Sequence, residues 1–295
     1  MPRTTTLRGS LAALCALTLV PLAACTQEAD GAPARDTTDA AFKKLEGKYD
    51  ARLGVYAVDT GSGRSVSYNA DRRFAYASSH KAFSAAAVLR SHSDKELDKR
   101  LHYTRDEVLP HSPVTEKHVR DGVTVRQAAA AAVQHSDNTA ANLLFEEIGG
   151  PKKLGAFLAG LGDGTTRVSR VEPDLNEAAP GDTRDTTTPR AFTEDLRKVA
   201  LGKVLGKGDR ARLLHWMGDN STGATLTEAG VPKSWKVAGK SGGGRYASRN
   251  DITVVTPPGH APLVMSIMSR RGERDAAYDD KLISSAARTV ADELS

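Results

Sequence analysis

Residues 245–271 read RYASRNDITVVTPPGHAPLVMSIMSRR, two apolar, β-branched runs separated by Pro257-Pro258-Gly259. Proline and glycine together mark a turn, so the stretch predicts two strands late in the chain. A matching pair stands near the start: ARLGVYAVDT (51–60) alternates as a strand, Gly61-Ser62-Gly63 turns the chain, and RSVSYNA (64–70) alternates again. Between these hairpins the apolar spacing becomes helical. SHKAFSAAAVLR, VTVRQAAAAAVQH, NTAANLLFEEIGG, PKKLGAFLAGLG, TTPRAFTEDLRKVAL and KGDRARLLHWM follow one another, with Pro151 at one start and glycine at two ends. AFKKLEGKY, before the first hairpin, reads as the end of a helix, and DAAYDDKLISSAARTVADEL closes the chain as another. Strands at both ends have to pair with each other. The sequence therefore predicts an α/β (α+β) fold, with one antiparallel sheet built from both chain ends, flanked by helices, and an all-helical lobe inserted. The expected folded unit is 41–295, with 41–72 and 215–295 as the sheet lobe and 73–214 as the helical lobe.

The 295 residues are 39% hydrophobic and 26% charged, the composition of a globular chain with enough apolar material for one large domain or two closely packed lobes. The formal net charge is +5, but basic residues are spread among acidic ones. No basic run interleaves with aromatics, so a nucleic-acid partner is not expected. A monomer is expected.

The first 24 residues read as an export signal. Arg3 and Arg8 precede LAALCALTLVPLAA (11–24), an apolar stretch too short and too early for a membrane span. It ends in Leu22-Ala23-Ala24-Cys25, which resembles the lipobox of bacterial lipoproteins. That resemblance implies cleavage before Cys25, a diacylglycerol on its thiol, and anchoring to the outer face of the cytoplasmic membrane. The alternative is an ordinary signal peptide with Cys25 as a bystander. Cys15 and Cys25 are the only cysteines, so the mature domain has neither disulfide nor thiol nucleophile. Residues 25–40, small and polar, read as a flexible tether.

Chemistry is concentrated in four short elements. Ser78-Ser79-His80-Lys81 opens an apolar helix, where positions i and i+3 are neighbours. A serine hydroxyl needs a base to become a nucleophile, and a lysine amine can serve if burial depresses its pKa. Taken alone the pair is common. Ser136-Asp137-Asn138 precedes a helix and by itself reads as a cap. Glu172-Pro173-Asp174-Leu175-Asn176 lies in a polar stretch, from Asp163 to Pro189, too rich in Pro, Gly, Asp and Thr for regular structure. A loop of that length in a compact domain is usually functional. Lys240-Ser241-Gly242, followed by Gly243 and Gly244, reads as a strand start where glycines admit close approach of a ligand.

The ordered set S-x-x-K, S-D-N and K-[ST]-G resembles the signature of class A β-lactamases and penicillin-binding proteins. With RFAYASSHKA, SPVTEKHVRDGVTV and EPDLNEAAPGDTRDTTTP, the likeness to a class A β-lactamase extends over the mature chain. It implies hydrolysis of penicillin-like β-lactams through a Ser78 acyl-enzyme, and resistance to them. Lys81, or a water held by Glu172, would be the acylation base. Ser136 would relay a proton to the leaving nitrogen, and Asn138 would bind the substrate's amide side chain. Glu172 and Asn176 would hold the hydrolytic water. The amides of Ser78 and Gly243 would form the oxyanion hole, beside Gly242. Lys240, Ser241 and Arg249 would receive the substrate carboxylate, with Arg249 expected further along the Gly243 strand. Arg170 and Asp185 would close the neck of the loop, and Glu172–Pro173 is a candidate cis bond. His111 stands where the family often has an aromatic residue at the site entrance. No cofactor is expected, and the absence of His-x-His or HExxH spacing argues against a metal site.

Two other readings share these residues. A penicillin-binding protein would acylate with the same Ser78 and Lys81 but lack a positioned water. A non-catalytic surface lipoprotein would trap the acyl form as a signal. Glu172 with Asn176 favours the lactamase.

Overall fold

A computed structural model describes residues 32–295. The expected signal peptide and Cys25 lie outside the described residues. The main sheet contains strands β1 (Arg52–Asp59), β2 (Ser65–Tyr68), β7 (Lys236–Gly244), β8 (Ser248–Thr256) and β9 (Leu263–Arg270), in the order β2-β1-β9-β8-β7. All its neighbours are antiparallel, and β1 pairs along its whole length with β9, so the two chain ends form one sheet as expected. Two-residue ladders join β3 (Phe74–Ala75) to β6 (Thr186–Thr187) and β4 (Arg100–Leu101) to β5 (Val123–Thr124).

Ten helices surround the sheet among the described residues: α1 (Ala32–Tyr49), α2 (Lys81–Ser91), α3 (Asp94–Leu97), α4 (Val125–Gln134), α5 (Asn138–Ile148), α6 (Pro151–Gly160), α7 (Pro189–Ala200), α8 (Lys207–Gly218), α9 (Thr227–Gly230) and α10 (Asp280–Leu294). Helices α1 and α10 cover one face, and α7 covers the other. Consecutive side chains of a strand point to opposite faces. Thus Val254 and Val264 join the core shared with the helical lobe, whereas Val255 and Met265 join the core beneath α1 and α10. Central strands β1, β8 and β9 are consequently buried on both sides. Gly54 lets β1 pass close to the sheet cover, because a Cβ there would lie 2.4 Å from the Phe74 ring and 2.9 Å from Pro189.

Three expectations change. The tether over 25–40 is too long, because residues 32–40 begin α1. Phe42 and Tyr49, buried against α10 and the sheet, anchor that helix, which then propagates into a polar stretch. The lobe boundary between 214 and 215 falls inside α8, which packs on both β7 and α2. Together with α7 on the sheet, this makes the lobes share a core rather than meet at a seam. The closing helix begins at Asp280, capped by the Asp279 side chain, and leaves 275–279 as a loop beside the cleft.

Candidate active site

A single turn of 3-10 helix, Ala77–His80, feeds directly into α2 and sets Ser78 where the helical lobe meets the sheet. Strand β7 passes close by at Gly242, where a Cβ would lie 2.7 Å from the Tyr76 carbonyl oxygen and 3.0 Å from the Ser79 amide nitrogen. Only glycine fits there. Ser78 and Gly243 both border the resulting cleft, of about 600 Å³, as do Ser136, Asn138, Asn176, Ser241 and Arg249.

Lys81, the first residue of α2, is fully buried. Its Nζ donates to the Ser136 carbonyl at 2.7 Å and to Asn138 Oδ1 at 2.7 Å, and stands 3.0 Å from Glu172 Oε1. An ammonium has three protons, and each finds an acceptor. The same Glu172 oxygen accepts the Ser78 hydroxyl at 3.2 Å, so nucleophile, lysine and carboxylate meet at one atom. Burial pulls the Lys81 amine below the ordinary lysine range, opposed by Glu172 and Asp137. Burial pushes the Glu172 carboxyl up, but Lys81 and His80 outweigh it and hold the group ionised. The proton of this pair that is loosened is therefore the lysine's.

The long loop presents Glu172 through a two-point clamp from α5. The Glu172 amide donates to Asn142 Oδ1 at 3.0 Å, and Asn142 Nδ2 donates to the Glu172 carbonyl at 2.9 Å. Asn176, one 3-10 turn on, donates to Glu172 Oε2 at 2.5 Å. The Glu172–Pro173 bond is cis. Arg170 Nε lies 2.5 Å from Asp185 Oδ2 at the loop neck, where the family resemblance implies a salt bridge. The loop is less irregular than expected, holding the 3-10 turn Asp174–Asn176 and strand β6.

Ser136 takes a left-handed conformation, φ 57°, and its hydroxyl lies between two lysines, 3.1 Å from Lys240 Nζ and 3.5 Å from Lys81 Nζ. Lys240 is the donor at the shorter distance, so the hydroxyl accepts from it and keeps its own proton to give away. Asp137 caps α5 through the Ala140 amide and takes both the Val114 and Thr115 amides, a bracing role. Burial and the neighbouring Lys81 charge drive Lys240 well below the ordinary lysine range.

Two placements on β7 need correction. Lys240-Ser241-Gly242 lies in the C-terminal half of β7 rather than at a strand start, and Arg249 is on β8, directly opposite Gly243. Glycines carry no strand signal, so the sequence places the strand start too late. Arg249 still reaches the cleft, held by Asp280 at 2.6 Å and stacked 4.7 Å from the Tyr278 ring centre. Ser241 Oγ shares a 2.6 Å hydrogen bond with Thr222 Oγ1. His111 lies exposed at the cleft rim with φ 60°. Asn142, Thr222, Tyr278 and Asp280 escape the sequence reading. Asn142 alone had a signal, standing one helical turn after Asn138. Among the described residues no cluster of three or more His, Cys, Asp or Glu could hold a metal ion.

A serine made reactive by a buried lysine and a loop carboxylate, at the junction of a helical lobe and an antiparallel sheet, defines an active-serine acyl-transfer enzyme of the class A β-lactamase type. The profile of the Beta-lactamase enzyme family matches residues 37–294, and the chain belongs to that family. It is 51% identical over 249 residues to a beta-lactamase of Amycolatopsis lactamdurans, covering 84% of this chain and 82% of the relative. Beta-lactamase 1 of Streptomyces cacaoi is 46% identical, with 98% of each chain covered. The class A beta-lactamase of Clostridium kluyveri superposes with a TM-score of 0.86 at 45% identity, covering 87% of this chain and 98% of that one. The Streptomyces albus G beta-lactamase gives 0.86 at 42%, covering 88% and 100%.

Proposed function

We propose that this enzyme hydrolyses the β-lactam amide of penicillin-like antibiotics through an acyl-enzyme on Ser78, and so confers resistance. The observation that carries the reading is the convergence of the Ser78 hydroxyl and the Lys81 ammonium on Glu172 Oε1, with Asn176 on its other oxygen. The substrate carboxylate docks against Ser241, Lys240 and Arg249, and its amide side chain against Asn138. Ser78 Oγ attacks the ring carbonyl while its proton passes to Glu172, or to Lys81 once that amine has given up the proton that burial loosens. The amides of Ser78 and Gly243 receive the negative charge on oxygen, a contribution of about 2.7–4 kcal/mol per donor in comparable sites. Ser136 gives its proton to the ring nitrogen as the C–N bond breaks and takes one back through Lys81, which bridges Glu172 and Ser136. The proton that left Ser78 thus ends on Ser136, and Glu172 is ionised again. A water then gives a proton to Glu172 and its oxygen to the ester; the Ser78–acyl bond breaks, and Glu172 passes that proton to Ser78 Oγ as the opened acid leaves.

A penicillin-binding protein would share the first half of this sequence. Glu172, clamped at its backbone by Asn142 and at its carboxylate by Asn176, favours completion of the second. The test is mass spectrometry with benzylpenicillin. The Glu172→Ala enzyme should carry an adduct of intact penicillin mass on Ser78, and Ser78→Ala should carry none. An adduct on any other residue would sink the reading.

We also propose export, with lipid attachment at Cys25 holding the enzyme on the outer face of the cytoplasmic membrane. Leu22-Ala23-Ala24 before Cys25 supports this. Radiolabelled lipid supplied to cells should enter the wild-type protein and not Cys25→Ala. Absence of label from both, beside a labelled control lipoprotein, would contradict it.

A further inference from the structure

The residue between Ser78 and Lys81 that faces the loop carboxylate is a histidine. His80 is 1% exposed, with its ring stacked on Phe145 at 5.2 Å and tilted against Tyr76 at 5.7 Å. Nδ1 lies 3.0 Å from Ser84 Oγ, one helical turn along α2. Nε2 has no hydrogen-bond partner within 3.5 Å, and Glu172 Oε1 stands 3.7 Å away. A neutral imidazole carries one N–H. If Nδ1 held it, the Nε2 lone pair would face a carboxylate oxygen. If Nε2 holds it, the Ser84 hydroxyl donates to Nδ1 and the ring proton points at Glu172. The second arrangement satisfies both ends.

We propose that His80 is a positioning residue for the deacylation step, its Nε2–H directed at Glu172 to keep that carboxylate an ionised base. The inference rests on the hydrolytic role given to Glu172 above. Before acylation Glu172 Oε1 receives Ser78, Lys81 and the approach of His80. Once Ser78 is an ester it has no proton to give, and the carboxylate loses a donor. His80 takes no part in the covalent chemistry, so its contribution persists while Glu172 must accept a proton from water. The charged or titratable groups around the ring are Glu172 on the loop, Lys81 on α2, Lys240 on β7 and the Tyr76 phenol, with Asp137 at the head of α5 acting on Lys81. Burial, with Lys81 and Lys240 nearby, keeps the ring neutral against the pull of Glu172.

The test is the pH profile of kcat for benzylpenicillin in the wild type, His80→Phe and His80→Gln. Phenylalanine keeps the stacked ring and removes the donor, and should move the acid limb up by roughly half to one pH unit. The glutamine amide nitrogen sits near the place of Nε2 and should restore much of that shift. An acid limb unmoved in His80→Phe overturns the proposal. Glu172→Gln separates the two claims: if it turns over like the wild type, the base role of Glu172 falls, whereas a stalled Glu172→Gln beside an unmoved His80→Phe removes His80 alone. Nitrogen-15 NMR of the wild-type ring stands independently of whether the variants fold. It should report the Nε2–H tautomer, uncharged at pH 7, and an Nδ1–H tautomer or an imidazolium there would contradict the inference.

Discussion

Nζ of Lys81 stands 3.0 Å from Oε1 of Glu172, and neither side chain is exposed. Each charge is tolerated in the interior because the other is there, and removing one leaves its partner uncompensated. Lys81→Ala should therefore lower unfolding free energy by about 3–5 kcal/mol. It should also slow formation of the acyl-enzyme more than its breakdown. Denaturant titration and stopped-flow acylation measure the two effects separately.

Arg249 reaches the cleft already oriented, with Asp280 on its guanidinium and Tyr278 beneath it. Arg249→Ala should raise KM for benzylpenicillin about tenfold or more, the scale of one charge-assisted hydrogen bond, and change kcat far less. Asp280→Ala should give a smaller shift in the same direction. A fall confined to kcat would place Arg249 outside carboxylate binding.

Asp185 is fully buried and accepts at Oδ1 from the Ser169 amide at 2.8 Å, the Arg170 amide at 3.0 Å and the Tyr76 hydroxyl at 3.0 Å. Its other oxygen takes the Arg170 guanidinium. Asp185→Ala breaks all four and should cost about 3–5 kcal/mol, measured by urea unfolding. Because Glu172 lies two residues beyond Arg170, deacylation should suffer more than acylation. A burst followed by a slowed steady state is the expected trace.

A second carboxyl pair lies away from the cleft. Asp163 accepts the Thr165 and Thr166 amides at 2.6 Å and 3.0 Å and stays ionised, so the proton shared with Asp195 rests on Asp195. Burial and the Asp163 charge push Asp195 up to about 8 from an unfolded 3.8. A raised pKa means the folded state binds the proton more tightly, so this contribution is whole below pH 4 and lost as pH rises through 8. Thermal melts should show Asp195→Asn gaining on the wild type between pH 5 and pH 9, by on the order of 4 kcal/mol. A difference that does not change across that range would contradict the shared proton.

What the sequence made legible follows from locality. Ser78 and Lys81 lie within a helical turn of each other, and spacing alone brings them together. Glu172 with Asn176 is legible only through the family resemblance, because an irregular loop has no fixed period. Asp280, Tyr278 and Thr222 come from segments with no motif of their own, and only the closed sheet carries them to Arg249 and Ser241. Gly242 to Gly244 hide the strand they belong to, since glycine has no β preference, and so Arg249 is placed one strand early. The polar residues 32–40 hide a helix whose stability comes from Phe42 and Tyr49 further on.

The most direct measurement is multiple-turnover hydrolysis of benzylpenicillin by the purified enzyme, with chelator and no added metal, beside Glu172→Ala. The wild type should consume many equivalents at a steady rate, and the variant should stop near one equivalent with the acyl group still on Ser78. A wild type that halts after one equivalent would contradict the hydrolytic role given to Glu172 and point to a penicillin-binding protein or a sensor.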